Sequence, residues 1–272
     1  MAPTFSNAER VTISGYTGPE QDPTITPDGR WLFFDNHTDS SPECRAFYAR
    51  WVDYKTFEFM GEIGGLNVPG KKAANANMDV NGNLYWMTDA YYDATANTAY
   101  CGVWTEGVVA VAKISQVMGV SRYQPPWLIL GPEINASGNQ LYFADYQLNP
   151  FTGGPASSKI IAANKNPDGS FTKIGGSLLN RVNATGNVLY AAYQSFDGLL
   201  LVFTSWNAVS GRFTIYLSSR SNTSSNWGAP ARVRAAEGYC ESGGFSPDGR
   251  RLYYHRLDPD PENAKIYVLT RQ

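Results

Sequence analysis

Three acidic residues of the sequence are candidates for acid–base chemistry: Asp22, Glu133 and Glu241. Each belongs to a short run that we interpret as the innermost strand of a repeated unit, so all three are expected near the mouth of one central channel. Two carboxyl groups held about 6–9 Å apart could act as acid and base across a glycosidic bond, with water between them. The alternative for each residue is a structural role, in which the carboxylate caps the backbone or binds channel water.

Aromatic and polar side chains are concentrated in three segments that we predict to be long loops: 36–45, 89–103 and 145–159. Loops on one face of a rigid scaffold commonly carry binding residues. Tyr and Trp present a broad apolar face and a polar edge, which suits stacking on a sugar ring or a flat small molecule. The predicted ligand-binding residues, from these segments and their neighbours, are Asp35, His37, Asn75, Asn77, Asp89, Tyr91, Tyr92, Trp104, Asp145, Tyr146, Tyr193, Trp206 and His255. The alternative is that the aromatic residues only pack the loops together.

A repeated turn positions these residues. Residues 26–34 (Thr-Pro-Asp-Gly-Arg-Trp-Leu-Phe-Phe) recur as residues 246–254 (Ser-Pro-Asp-Gly-Arg-Arg-Leu-Tyr-Tyr), and weaker copies lie at 79–86, 135–143 and 195–203. A polar residue and Gly followed by aromatic and branched residues indicate a strand, a tight turn and a strand. The turns centre on Asp28, Asn81, Ser137, Asp197 and Asp248, with steps of 53, 56, 60 and 51 residues. Similar units at this period predict a propeller.

We therefore predict an all-β fold: one five-bladed β-propeller over residues 1–272, with four antiparallel strands in each blade. The interval that runs through both chain ends is 52 residues, so the ends complete the ring. The last unit lacks a fourth strand, and we predict that Glu9–Ser14 supplies it beside Lys265–Leu269. Such a closure removes the open edges of an unclosed ring.

Composition excludes several classes of partner. The net charge is −2, and the largest basic cluster is the pair Lys71 and Lys72, so no nucleic-acid footprint is present. No apolar run approaches the roughly 18 residues that a membrane span needs. The first residues have no charged and apolar regions of a signal peptide, which leaves the compartment open, with a secreted or periplasmic location slightly favoured.

Counting from each turn places equivalent residues at one height in the channel. Asp22, Asn75, Gly131, Ala191 and Ser242 form a predicted upper ring, which Gln21 and Glu241 adjoin. Two residues further along each strand come Thr24, Asn77, Glu133, Tyr193 and Gly244. The upper ring and the loops above it are therefore the predicted ligand site.

The repeats resemble known families. The Pro-Asp-Gly turns before Tyr- and Phe-rich strands, together with Ser-Asn-Trp-Gly-Ala-Pro at 225–230, are similar to the repeat of TolB-like propellers. This resemblance implies a fold, with functions that range from protein docking to carbohydrate handling.

Residues 22–33 also resemble the first-blade motif of five-bladed arabinan- and xylan-cleaving glycosidases, including glycoside hydrolase family 43. The resemblance implies that Asp22 is the residue that activates the nucleophile, and Gly-Pro-Glu at 131–133 is similar to the stretch that bears the acid. This sequence departs from the family in the second blade, where Asn75 and Asn77 stand in place of an Asp.

Metal and thiol chemistry have weaker support. His37 and His255 lie in neighbouring units of the ring and could share a metal with Asp35 or Asp39, but no metal-binding spacing supports this. We predict no cofactor, although a channel-bound cation such as calcium is possible. Cys44 and Cys101 are predicted to form a disulfide between the first two loops, and Cys240 is expected to be a buried, unreactive thiol.

Three functions remain open at this point. The first is the binding of a glycan or small organic molecule at the upper mouth of the channel. The second is an enzyme that uses the same funnel, either a glycoside hydrolase or a small-molecule cyclase or lyase. The third is a platform for a protein partner. Convergent carboxyl groups with a raised pKa would favour an enzyme, and a flat apolar patch without a deep pocket would favour docking.

Overall fold

The computed structural model describes residues 3–38, 41, 43–90, 98–120, 127–149, 155–186, 188–207, 209–258 and 260–272. Two strands near the N-terminus precede the first complete blade. They are β1 (Phe5–Arg10) and β2 (Thr12–Ser14). No helix among the described residues is long and apolar enough to cross a membrane.

The remaining strands form five consecutive blades. The first blade contains β3 (Gln21–Ile25), β4 (Trp31–Asp35), β5 (Ala46–Asp53) and β6 (Thr56–Glu62). The second contains β7 (Ala73–Met78), β8 (Asn83–Thr88), β9 (Ala99–Thr105), β10 (Val108–Val109) and β11 (Ser115–Gln116), with a 3₁₀ turn at Val111–Lys113. The third contains β12 (Trp127–Ile134), β13 (Gln140–Leu148), β14 (Pro155–Lys165) and β15 (Phe171–Lys173).

A short helix, α1 (Asn180–Asn183), leads into the fourth blade. That blade contains β16 (Val188–Gln194), β17 (Leu200–Asn207), β18 (Arg212–Ser219) and β19 (Ala231–Arg232). The fifth contains β20 (Tyr239–Phe245), β21 (Arg251–Asp258) and β22 (Asp260–Arg271). The five innermost strands β3, β7, β12, β16 and β20 pack each against the next, and β20 packs against β3. The predicted five-bladed propeller is confirmed.

The N-terminal segment closes the last blade, as predicted, but with different residues. Strand β1 pairs antiparallel with β22, with Ser6 opposite Thr270 and Glu9 opposite Val268. The prediction of Glu9–Ser14 as the closing strand is therefore wrong in its bounds. Residues Thr12–Ser14 instead pair in parallel with β6, because the chain crosses from the fifth blade to the first at Val11. The N-terminus thus covers the edges of two blades.

The turns explain why the repeat is so regular. In the first, Oδ1 of Asp28 accepts hydrogen bonds from Oγ1 of Thr26 and the backbone N–H of Arg30. Asp197 and Asp248 accept the equivalent bonds in their turns. The Gly that follows each of these Asp residues has a positive φ, a conformation that costs Gly little.

The second and third turns use a different residue for the same purpose. Asp79 Oδ1 accepts from the backbone N–H of Asn81 and of Asn83. Asn135 Oδ1 accepts from those of Asn139 and Gln140. The acceptor has moved two residues towards the N-terminus, which accounts for the weaker sequence match of these two units.

The hydrophobic core consists of five clusters, one between each pair of neighbouring blades. Consecutive residues of a strand point to opposite faces, so they enter different clusters. Phe33 packs towards the second blade and Phe34 towards the fifth. Tyr253 packs towards the first blade and Tyr254 towards the fourth. The near-continuous apolar runs of the second strands follow from burial on both faces.

Candidate functional site

The innermost strands share a backbone irregularity at the end of the channel away from the Asp-Gly turns, which we call the upper end. Strand pairing shifts register at this height in all five blades. Four of the residues there have positive φ: Asp22 (47°), Asn75 (54°), Gly131 (57°) and Ala191 (49°). A residue other than Gly costs about 1–2 kcal/mol in this conformation. The surrounding ring holds three such residues in place.

A pocket of about 300 Å³ opens above this ring. We call it the upper pocket. Because of the bulges, two consecutive residues of an inner strand both line it, as Gln21 and Asp22 do. Its polar residues come from the fifth, first and second blades: Gln21, Asp22, His37, Thr38, Asn75 and Glu241. Its aromatic residues come from the third and fourth: Tyr146, Tyr190, Trp206 and Phe213.

Asp22 and Asp35 form a buried pair of carboxyl groups at the base of the upper pocket. Burial raises the pKa of Asp22 well above its usual range, and the charges of Asp35, Glu241 and Glu133 raise it further. Burial also raises the pKa of Asp35. The neighbouring His37 and two backbone hydrogen bonds lower this pKa and so partly oppose the effect of burial. Those bonds come from the N–H groups of His37 and Asn75, each at 3.1 Å.

His255 lies fully buried behind Asp22 and Glu241. Its Nδ1 accepts a hydrogen bond of 3.1 Å from the backbone N–H of Asp22. Its Nε2 lies 3.8 Å from Oε2 of Glu241, which is too long for a hydrogen bond. Burial lowers the pKa of His255 to about 3, so the ring is neutral at physiological pH. Since Nδ1 accepts a hydrogen bond, the neutral ring carries its own proton on Nε2.

The side-chain atoms of Asp22, Glu241 and His255 lie within 4.8 Å of one another, a spacing that a metal ion could bridge. A metal-bound His normally ligates through one nitrogen and donates its other N–H to an acceptor. In His255 the second nitrogen instead receives an N–H from Asp22, so Nε2 keeps the proton that a metal would have to displace. The donor set does not fit a metal through Nε2, and we interpret the trio as two acidic side chains packed around a neutral, buried imidazole.

A cation and two tyrosine hydroxyl groups lie around the rim of the upper pocket. Nε2 of His37 lies 3.4 Å from Nζ of Lys72, which brings a cation to the first-blade side. On the opposite side, burial and the nearby Glu241 raise the pKa of Tyr190 well above its usual range. Burial raises the pKa of Tyr146 to about 12, so both hydroxyl groups are neutral.

Glu133 lies below the upper pocket. With Thr24, Asn77, Tyr193 and Gly244 it lines a second space of about 40 Å³, which we call the lower cavity. Burial raises the pKa of Glu133 well above its usual range, and the adjacent Tyr193 hydroxyl only partly opposes this. Both carboxyl oxygens and the Tyr193 hydroxyl lack a hydrogen bond of good geometry. Neither side chain lines the upper pocket.

Several predicted ligand-binding residues have other contacts. Asn77 joins two blades, since it donates to the carbonyl of Pro132 at 2.6 Å and accepts from the N–H of Ile134 at 2.8 Å. Asp89 accepts a hydrogen bond of 2.7 Å from the backbone N–H of Lys72. Asp145 is buried in β13. None of the three lines the upper pocket, and Tyr91 and Tyr92 lie outside the described residues.

Trp104 packs between the first two blades, with its ring centroid 5.5 Å from that of Phe33 and 5.6 Å from that of Trp31. It is therefore a core residue, and its assignment to the ligand site is corrected. The reason is that the second predicted loop, 89–103, ends earlier than expected. Strand β9 already begins at Ala99, so Trp104 belongs to a strand and faces the neighbouring blade.

The predicted disulfide between Cys44 and Cys101 is wrong, because all three cysteines are free. Cys44 is buried, and its thiol donates to the carbonyl of Ala73 at 3.3 Å. Cys101 lies within β9, where its thiol is 3.4 Å from Oγ of Ser115. The two thiols therefore have separate partners instead of facing each other across the upper rim.

The sequence analysis missed Tyr190, Phe213, Met87 and Leu257, all of which line the upper pocket. Tyr190 had a detectable signal, because it stands one residue before the ring position Ala191, as Gln21 and Glu241 do in their blades. Phe213 opens the third strand of its blade and stacks against Trp206, with ring centroids 6.3 Å apart. Only the folded blade brings these two rings to the pocket.

No family model matches the sequence, and no curated protein does either. Solved structures do match. The catalytic domain of the GH62 alpha-L-arabinofuranosidase of Coprinopsis cinerea is 13% identical, with a TM-score of 0.56 over 99% of this chain and 96% of that chain. The endo-arabinase of Bacteroides thetaiotaomicron is 14% identical, with a TM-score of 0.55 over 97% of each chain.

TolB of Acinetobacter baumannii is 12% identical, with a TM-score of 0.48 over 94% of this chain and 55% of that chain. At these identities the likeness concerns the fold. The chain is a β-propeller.

Proposed function

We propose that the upper pocket binds a sugar ring of a glycan. One observation carries the proposal: a polar wall from three consecutive blades faces an aromatic wall from the other two. A sugar ring has hydroxyl groups at its edge and apolar C–H groups on its faces, so it needs both walls. A volume of about 300 Å³ is at the small end of ligand pockets and suits one terminal sugar unit.

The polar wall offers complementary hydrogen-bonding groups. Gln21 and Asn75 have amide groups that donate and accept, and Glu241 accepts. Opposite them, Trp206 and Phe213 are stacked on each other, which fixes the orientation of the indole ring. The similar solved structures include an arabinofuranosidase and an endo-arabinase, which agrees with a carbohydrate ligand.

Cleavage of a glycosidic bond is the second candidate. The observation that favours it is the convergence of Asp22 and Glu241, whose nearest oxygens lie within 4.8 Å. This spacing is shorter than the about 6–9 Å that leaves room for a water molecule between acid and base, and it is closer to the about 5–5.5 Å of glycosidases that retain configuration. A protein-docking platform receives less support, because the described residues form a defined pocket at this face.

Glycan binding is tested first on an array of defined oligosaccharides and then by calorimetric titration of the best binder. Trp206→Ala should weaken binding by about 1–3 kcal/mol, because the aromatic wall loses its largest ring. This corresponds to a rise in Kd of about 5- to 150-fold. The matched control is Trp31→Ala, since Trp31 is also half-buried but lies beside the Asp28 turn.

The control variant should bind as the wild type does. The proposal fails if no glycan binds, or if Trp206→Ala binds with unchanged Kd. Hydrolysis is tested separately by product analysis with the glycan that binds, comparing the wild type with Asp22→Asn. Tyr91 and Tyr92 stay predicted ligand contacts, and their Ala variants can be titrated in the same series.

A further inference from the structure

Asp22 and Asp35 belong to different strands of the first blade, and both carboxyl groups are buried. The pairing of β3 with β4 sets Gln21 opposite Asp35, so Asp22, the next residue, has the Asp35 carboxyl as a close charged neighbour. A carboxylate has only acceptor oxygens, so the two groups can hydrogen-bond to each other only in a state with one proton between them. Two negative charges side by side in a buried site would repel each other strongly, which favours the same one-proton state.

The backbone shows which residue is ionised. Oδ1 of Asp35 accepts the N–H of His37, and Oδ2 accepts the N–H of Asn75. Hydrogen bonds from backbone N–H groups stabilise the charged form of a carboxylate. The backbone N–H of Asp22 itself is directed to His255. The pair is thus asymmetric, with the better anion site at Asp35.

The other neighbours of Asp22 do not favour its charged form. The titratable groups that face Asp22 are those of Asp35, Cys44, Glu133, Tyr190, Tyr193, Glu241 and His255. None of these side chains is a cation at neutral pH, because His255 is neutral. Lys72, on the first-blade side of the upper pocket, contacts His37 instead.

We propose that Asp22 carries the shared proton at neutral pH and presents it to the upper pocket, and that Asp35 is the positioning residue that keeps it there. Asp22 lines the upper pocket and Asp35 does not. This role is the reverse of the one implied by the resemblance to arabinan-cleaving glycosidases, in which the corresponding Asp activates the nucleophile. Asp22 instead donates a hydrogen bond, or a proton, to the ligand.

The contact with a ligand rests on the sugar-binding function proposed above, whereas the protonation state does not. The test therefore starts without a ligand. Protein labelled with ¹³C at the aspartate carboxyl carbons is titrated by NMR, and Asp22→Asn identifies the Asp22 signal. At pH 7 the Asp22 signal should be that of a carboxylic acid and the Asp35 signal that of a carboxylate.

Asp35→Asn should shift the titration of Asp22 downward by about 1–3 pH units, because the negative neighbour is removed. Asp197→Asn, in an Asp-Gly turn, is the matched control and should leave the Asp22 titration unchanged. A carboxylate signal for Asp22 at pH 7 in the wild type would overturn the proposal, as would an unshifted Asp22 titration in Asp35→Asn. If Asp35→Asn does not fold, the wild-type titration still decides.

A glycan that binds gives the second measurement. Its Kd should rise as the pH increases through the Asp22 titration, and this dependence should move to lower pH in Asp35→Asn. If glycan binding is absent while the Asp22 signal is that of an acid, the proposed function fails and the present inference stands. If binding occurs but does not follow the Asp22 titration, the donor role of Asp22 is wrong.

Discussion

The backbone N–H of Asp22 donates a hydrogen bond of 3.1 Å to Nδ1 of His255. It joins the first blade to the last, inside the channel and directly beneath the upper pocket. The same contact fixes the tautomer of the imidazole, with its proton on Nε2, the nitrogen through which a metal would have to bind. One pair of residues thus links the first blade to the last and sets the chemistry of the buried ring beside the upper pocket.

The first prediction concerns His255 and pH. Its folded-state pKa of about 3 is below the usual histidine value of 6.5, so it contributes stability above pH 6.5 that is lost as the pH falls from 6.5 towards 3. The loss is at most about 1.4 kcal/mol per pH unit for one proton. His255→Asn keeps an acceptor for Asp22 but cannot take up this proton. The free energy of unfolding of the wild type, relative to the variant, should therefore decrease from pH 6.5 to pH 5 in urea titrations.

Parallel pH curves for the wild type and His255→Asn would show that the imidazole is not buried in its neutral form.

The second prediction concerns closure of the ring. Deletion of residues 1–10 removes β1 and exposes the edge of β22, which Ser6 and Glu9 otherwise cover. The thermal transition should become broader and shift to lower temperature, because the last blade loses a strand. Deletion of residues 1–3 keeps β1 and should melt as the full chain does. Equal melting curves for the two deletions would contradict the closure.

The third prediction concerns Glu133. Burial raises its folded-state pKa above the usual glutamate value of 4.5, so its favourable contribution is complete below pH 4.5 and is lost as the pH rises towards the folded-state pKa. Glu133→Gln removes this dependence. The variant should gain stability relative to the wild type from pH 5 to pH 8, by at most about 1.4 kcal/mol per pH unit. The exposed Glu237→Gln is the control, measured in the same urea titrations.

The proposed channel cation gives a different result in the same experiment. A bound calcium ion would keep Glu133 ionised, so added calcium would raise the Tm of the wild type but not that of Glu133→Gln. If the wild type gains stability relative to Glu133→Gln from pH 5 to pH 8, the neutral form of Glu133 is contradicted.

The fourth prediction concerns the three thiols. Cys101 is half-buried, whereas Cys44 and Cys240 are each 1% exposed. A maleimide should therefore label Cys101 first under native conditions, and slowly, because burial raises the pKa of its thiol. The other two should react only after unfolding, as mass spectrometry of the peptides can show. A peptide that links Cys44 to Cys101 in a non-reduced digest would restore the disulfide.

Local sequence determined the repeated turn, because the hydrogen bonds that form the turn join residues only a few positions apart. The Thr26, Asp28 and Arg30 contacts lie within one turn, so the same letters produce the same turn in every blade that has them. The distance from each turn also gave the height in the channel. Counting along the sequence therefore separates Asp22, Asn75 and Glu241, which line the upper pocket, from Glu133 and Tyr193, which line the lower cavity.

Only the tertiary structure decided which side chains share a space. The bulges place two consecutive residues in the upper pocket, and a strict alternation of faces does not predict this. Strand β9 begins at Ala99, earlier than the sequence predicts, so Cys101 lies in a strand and not in the loop before it. Trp104 belongs to the same strand, and the packing of neighbouring blades gives both side chains other partners. The pairing of Asp22 with Asp35 and His255 depends on strands brought together by the closed ring, and such contacts leave no pattern in the local sequence.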